Sequence, residues 1–261
     1  MPEIQSPDFQ KAKKNRIFQD VIEQIQEAIF SRKLNPGDLL PPERELRECF
    51  NISRGTLREA LRVLEHKGLI EIKVGTGGGS VIKHAGVEQL TESIALLIRS
   101  RSLSLFDIGE FREGMEGKIA WLASKRADNN DIARLKKLLS LSEAAVKQGL
   151  SAWGNFIDVD QKIHKELALI SKNSLYTYTS QVIHDNIGKY YDKYLDKTLN
   201  RMKENLQDLQ DIVSSVENHM PEKAAMFAEK HVHRFNIRMR EKETLSGKKA
   251  LLADHPKEDG L

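Results

Sequence analysis

The chain has 261 residues, 39% hydrophobic and 30% charged, and its 41 basic and 38 acidic side chains leave a formal charge of only +3. That is length enough for two domains, while overall charge this balanced says little about nucleic acid. A single cysteine, Cys49, excludes an intrachain disulfide and suits a reducing compartment. No apolar run approaches the ~18 residues of a bilayer span, and the opening MPEIQSPDFQKAKKNR has no apolar signal core. A cytoplasmic protein without a membrane partner is expected.

Residues 1–15 are polar and expected to be flexible. From Ile17 the apolar positions Val21, Ile22, Ile25, Ala28 and Ile29 follow helical spacing, predicting a first helix to about Ser31. Asn35-Pro36-Gly37-Asp38 marks a turn, and Pro41-Pro42 opens a second helix that Asn51 ends. Ser53 is placed to cap a third helix running to Lys67. Ile70 and Ile72 then alternate with polar neighbours, and Gly75-Thr76-Gly77-Gly78-Gly79 turns the chain into Val81-Ile82, a small two-stranded wing. Together these are expected to form one domain over 16–84. Beyond Lys83 strand signals stop. Helical spacing recurs over roughly 86–100, 104–127, 130–149, 152–171, 173–198, 201–218 and 220–243, clearest in Leu105, Ile108, Phe111, Met115, Ile119 and Leu122. The fold class expected is mainly α: a winged helix-turn-helix, a linker or helix over 85–104, and an all-α antiparallel bundle over 105–244. Residues 245–261 are charged, show no repeat and are expected to be disordered.

The segment 43–83 carries the chemistry. Leu46, Leu57, Ala60, Leu61 and Leu64 pack its two helices together and leave Arg44, Arg54, Thr56 and Arg58 on the outside. A helix fits the DNA major groove, and its leading end is where short polar and cationic side chains reach base edges or phosphates. Between Arg54 and Lys83 six Lys and Arg face three Glu. An amphipathic helical hairpin with solvated charges is the plain alternative, but it would not bring the turn, the cap and the wing with it. A phosphate loop at Gly75–Gly79 is excluded because no Lys-Ser/Thr follows and no helix opens there.

The strings Leu39-Leu40-Pro41-Pro42-Glu43-Arg44-Glu45-Leu46 and Ser53-Arg54-Gly55-Thr56-Leu57-Arg58-Glu59-Ala60-Leu61 closely resemble the winged helix-turn-helix of GntR-superfamily transcriptional regulators. The resemblance implies that Arg44, Arg54, Thr56 and Arg58 contact double-stranded DNA. It implies that Ser53 binds phosphate or caps, and that the wing around Gly75, Thr76 and Gly77 reaches the minor groove. Gly55 stands in the same strip, where some relatives carry a bulkier residue.

Asp160 and His164 are four apart, so on a helix they share a face and could grip one cation, with His231 as a third ligand. A hydrogen-bonded Asp–His pair is the alternative. His231 and His233, two apart, point to different sides. His184 and His219 carry no motif and are expected at the surface or in ordinary hydrogen bonds. Arg112 suits a carboxylate, or else pairs with Glu116 at the surface. Three segments, Glu110–Glu116, Phe156–His164 with Ser171-Lys172-Asn173, and Ala225–His231, resemble the FadR-type branch with its FCD effector domain. That resemblance implies a divalent metal such as zinc on Asp160, His164 and His231, and a small carboxylate effector held by Arg112. Many members carry a further histidine at the position of Leu209, so here water or effector completes the site, or the metal is lost. The expected function is a homodimeric, effector-controlled regulator, a repressor by the commoner family outcome, on a palindromic operator. Its alternatives are the same regulator answering an acyl-coenzyme A, a metal-dependent hydrolase using Asp160, His164 and His231, and a structural adaptor.

Overall fold

The computed structural model describes residues 16–75, 78–83 and 86–253. Two compact units divide at residues 89 and 90. In the first, helix α1 (Arg16–Phe30) turns Val21, Ile22 and Ile25 inward onto α3. Helix α2 (Glu43–Phe50) follows Pro42 and stops at Asn51, whose left-handed backbone (φ 50°) returns its N–H to the Arg47 and Glu48 carbonyls. Helix α3 (Arg54–His66) is capped by Ser53, whose Oγ accepts the Thr56 N–H at 3.1 Å. Leu57, Ala60 and Leu64 are fully buried against Leu46 and α1, each large side chain contributing roughly 1.5–3 kcal/mol by burial.

Strands β1 (Ile70–Lys73) and β2 (Gly79–Ile82) pair antiparallel with Ile70 opposite Ile82. The Asp38–Leu40 segment bonds along the other edge of β2. The Ile72 N–H donates to Glu65 Oε1 at 2.9 Å, tying the wing to α3. Residues 1–15, Thr76 and Gly77 lie outside the described residues.

The second unit is helical: α4 (Glu88–Arg99), α5 (Leu105–Arg126), α6 (Asn129–Gln148), α7 (Trp153–Ile170), α8 (Ser174–Ile187), a single turn α9 (Tyr191–Tyr194), α10 (Leu199–Glu217) and α11 (Pro221–Ala253). Among the described residues β1 and β2 are the only named strands, and no helix is long and apolar enough to cross a membrane. Reciprocal capping boxes, Ser104 with Asp107 and Asp128 with Asp131, start α5 and α6. The core gathers Ile119, Ala123, Leu135, Ile163, Leu167, Ile187, Leu209, Ile212 and Val216, with α5 packed against α7, α8, α10 and α11.

Three expectations change. The helix expected over 173–198 gives way at Gly188 to a 3-10 turn (Gly188–Tyr190) and then to the single turn that carries the buried Tyr191 and Tyr194. Glycine's low helix propensity makes this the cheap place to break. Phe111, counted in the apolar stripe of α5, is 53% exposed, whereas its neighbour Arg112 is 2% exposed. Finally, α11 runs to Ala253, so residues 245–253 are helical rather than disordered; Lys248-Lys249-Ala250-Leu251-Leu252 are good helix formers without any apolar repeat. Residues 254–261 lie outside the described residues.

Candidate functional site

The first unit presents one polar strip. Arg44, Ser53, Arg54, Gly55 and Arg58 are exposed and Thr56 is half-buried at the start of α3, where Ser53 Oγ and Thr56 Oγ1 share a hydrogen bond of 2.9 Å. Ser53 therefore acts as the cap. Arg54 Nε lies 3.6 Å from Glu43 Oε2, with both side chains largely in solvent, so the pair costs little to part. A side chain at Gly55 would meet nothing closer than Ser53 Oγ at 3.8 Å. At the wing tip Gly75 has φ +113°, a conformation that glycine supplies without strain. The positive end of the α3 dipole lies at this same helix start, beside Arg54, which suits a polyanion.

The second unit holds a polar cluster inside. Helix α5 supplies Arg112 and Glu116, a buried i,i+4 pair with Arg112 Nε 3.7 Å from Glu116 Oε1. The surface pair considered from sequence is thus an interior one. Helix α7 supplies Asp160 and His164, and α11 supplies His231, so all three come together with their donor atoms within 4.8 Å of one another. His164 Nδ1 is 3.0 Å from Glu116 Oε2, and the carboxylate takes that N–H. The Nε2 lone pair of His164 then faces His231 Nε2 at 3.2 Å, with Arg112 Nη2 at 3.5 Å. Asp160 Oδ1 is 3.6 Å from His231 Nε2 and accepts from Asn205 Nδ2 at 3.2 Å. On the far side of the His231 ring, Asp208 Oδ2 is 3.7 Å from Nδ1 and both Asp208 oxygens accept from Arg234 Nη1 at 2.8 Å.

His184, expected at the surface or in an ordinary hydrogen bond, is fully buried on α8 and donates Nε2–H to Glu116 Oε1 at 2.7 Å. One carboxylate thus holds two imidazoles. Glu116, His164 and His184 form a second trio of donor atoms within 4.8 Å. Burial alone would raise the Glu116 pKa, but His164 and His184 outweigh it and hold the carboxyl well below its usual range. Burial, and then Arg112, push His184 down to about 4, leaving it neutral. Burial pushes the Tyr191 hydroxyl up to about 12. Burial alone would lower the Arg112 pKa, but the neighbouring carboxylates Glu116 and Asp160 keep it raised and charged. His219 makes an ordinary hydrogen bond, its Nδ1 2.8 Å from the Ser124 carbonyl.

The Asp160, His164 and His231 set fits a divalent cation. Ligands ~2.0–2.1 Å from a tetrahedral ion stand about 3.3 Å apart, near the 3.2 Å between the two imidazole nitrogens. His164 also has the carboxylate behind its other nitrogen that metal-binding histidines usually have. Leu209 is fully buried in the apolar core, so α10 offers no ligand at that position. A narrow cleft reaches these groups, lined by Arg112, Asp160, Tyr191, His231, Arg234 and Arg238 among others.

Sequence reasoning missed Glu116, His184, Tyr191, Asn205, Asp208 and Arg234 as members of this cluster. Only Glu116 had a local signal, its position one turn from Arg112; the others meet only through packing of separate helices.

Residues 18–79 match the family of bacterial regulatory proteins called gntR, and residues 107–234 match the FCD domain. The Uxu operon transcriptional regulator of Escherichia coli is 32% identical over 160 residues, covering 61% of this chain and 60% of that protein, so the match spans less than two thirds of that relative. The HTH-type transcriptional repressor NanR of Escherichia coli is 24% identical over 239 residues, covering 84% and 83%. Among solved structures, Streptococcus agalactiae GntR superposes with a TM-score of 0.67 at 24% identity, covering 85% of this chain and 98% of that one, a likeness of fold. Both relatives carry the names of transcription regulators, and the hydrolase alternative falls with them. The chain belongs to the gntR family of bacterial regulatory proteins and carries an FCD domain.

Proposed function

We propose that the protein is a homodimeric transcription regulator that binds a palindromic operator and is controlled by a small organic acid. The observation that carries this reading is the outward strip on α3: a capped helix start with Arg54 and Arg58 exposed beside a glycine-turned wing. Arg44, Ser53, Arg54, Gly55, Thr56 and Arg58 form the major-groove contact, and Gly75, Thr76 and Gly77 the minor-groove contact. One such helix reads only a few base pairs, so two-fold pairing doubles the contact. Repression is the sense we assign, in keeping with the name of the NanR relative.

In the bundle, Asp160, His164 and His231 hold a divalent cation, with Glu116 orienting His164. When bound, the ion would supply positive charge beside Arg112, complementary to an effector carboxylate. Arg112, buried and charged, positions that carboxylate bidentately. The many ionisable groups lining the cleft suit a short polar acid better than a long acyl chain, which disfavours acyl-coenzyme A. The test is a selection of bound genomic fragments, followed by anisotropy titration of the selected site. Organic acids that alter its affinity, with no alteration in Arg112→Gln, support both halves of the proposal. Failure to enrich any fragment would refute it.

A further inference from the structure

The mouth of the bundle cleft gathers two arginines around one shared carboxylate. Arg201 Nη1 and Arg238 Nη2 both bond to the same oxygen, Glu204 Oε2, at 3.2 and 2.9 Å. Among the described residues no second carboxylate lies within ion-pair distance of either guanidinium. Arg234 is already matched, since its Nη1 takes both oxygens of Asp208. Two guanidiniums thus share one carboxylate at the opening, with Glu241 lining the adjoining hollow and Asp196, bonded to Lys242, close enough to act on both arginines. Glu204 and Arg238 line the cleft itself, and Arg201 lines the open hollow that adjoins it. At the inner end Arg112 presents a second cationic pole, whose buried Nε has no hydrogen-bond partner.

From this pairing of poles, resting on the effector reading above, we propose that the effector carries two anionic groups. The inner one is a carboxylate held at Arg112. The outer one, a terminal carboxylate or a phosphate, is held by Arg238 and Arg201 over Glu204. A guanidinium fork suits either oxyanion. A third acceptor at this place relieves the mutual repulsion of the two arginines. Burial, and then Arg201, already disfavour the charge on Arg238.

Calorimetric titration of the full-length, zinc-equilibrated protein tests this with three acids on one six-carbon polyol chain: gluconate with one anionic group, glucarate with a second carboxylate, and phosphogluconate with a terminal phosphate. The two-headed acids should bind at least about tenfold more tightly than gluconate, the scale of one charge-assisted hydrogen bond. A gain with both supports any outer oxyanion; a gain with phosphogluconate alone narrows it to phosphate. Arg238→Gln should remove the gain and leave gluconate unchanged. That variant keeps the Arg201–Glu204 pair, and an unchanged thermal melt would confirm its fold. Arg112→Gln should weaken all three. Equal binding of the three acids, or an Arg238→Gln variant that weakens gluconate as much as the others, overturns the two-headed effector and leaves the effector reading standing. Binding of none of them, together with no organic acid altering operator affinity, overturns both.

Discussion

The two units carry their polar chemistry in opposite places. In the first, hydrophobic residues fill the inside and the residues proposed to touch DNA stand in solvent, so its fold and its binding face are energetically separable. In the second, Arg112, Glu116, Asp160, His164 and His184 are all at least nine-tenths buried, and the binding groups are themselves part of the core. The difference teaches that a substitution in the strip should change affinity and spare stability, whereas one in the bundle cluster should change both. Both tryptophans, Trp121 and Trp153, and all five tyrosines lie in the second unit. Intrinsic fluorescence therefore follows the bundle alone, while far-ultraviolet circular dichroism sees both.

The largest effect should come from Glu116→Ala. It strands two imidazoles and removes the ion-pair partner of Arg112, and should cost the bundle about 3–5 kcal/mol in denaturant unfolding read by tryptophan fluorescence. A loss under 1 kcal/mol would show the cluster to be wetter and looser than described.

Next comes pH. The folded state holds His184 at about 4, below its ordinary 6.5, so the unfolded chain takes up the proton first. Its contribution is complete above pH 6.5 and lost as the pH falls from 6.5 towards 4, on the order of 3 kcal/mol in metal-stripped protein. The depressed Glu116 carboxyl works in the same sense below 4.5. A bundle transition that keeps its midpoint between pH 7 and pH 5 would contradict the neutral, buried imidazole.

In the strip, Arg54→Ala or Arg58→Ala should weaken operator binding by roughly 1–3 kcal/mol if that side chain reads a base, with both unfolding transitions unmoved. The smallest effect belongs to Ser53→Ala: about 1 kcal/mol of first-unit stability, seen in circular dichroism and silent in tryptophan fluorescence. A fluorescence change there would dissolve the separation between the units.

The same contrast explains what could be read from the sequence. The cap at Ser53, the left-handed stop at Asn51 and the pairing of Ile70 with Ile82 are decided within a few residues, so their signals are local. Asp160 and His164 were legible for the same reason, four apart on one helix. His184 lies 20 positions beyond His164 on a different helix, and nothing periodic connects them. Phe111 and Arg112 show the limit most clearly. Hydrophobicity favours burying Phe111, but the chain buries Arg112 because Glu116 and Asp160 on another turn and another helix compensate its charge. Such compensation is assembled only in the folded bundle. Leu209 was legible as a departure from the pattern, but its apolar surroundings were not.

The bond from Ile72 N–H to Glu65 Oε1 has a mechanical consequence. It fastens the hairpin to α3 by a bolt independent of the ladder between β1 and β2, so helix and hairpin swing as one fork. Under the regulation proposed above, a signal arriving at such a head would steer the whole fork rather than bend one prong.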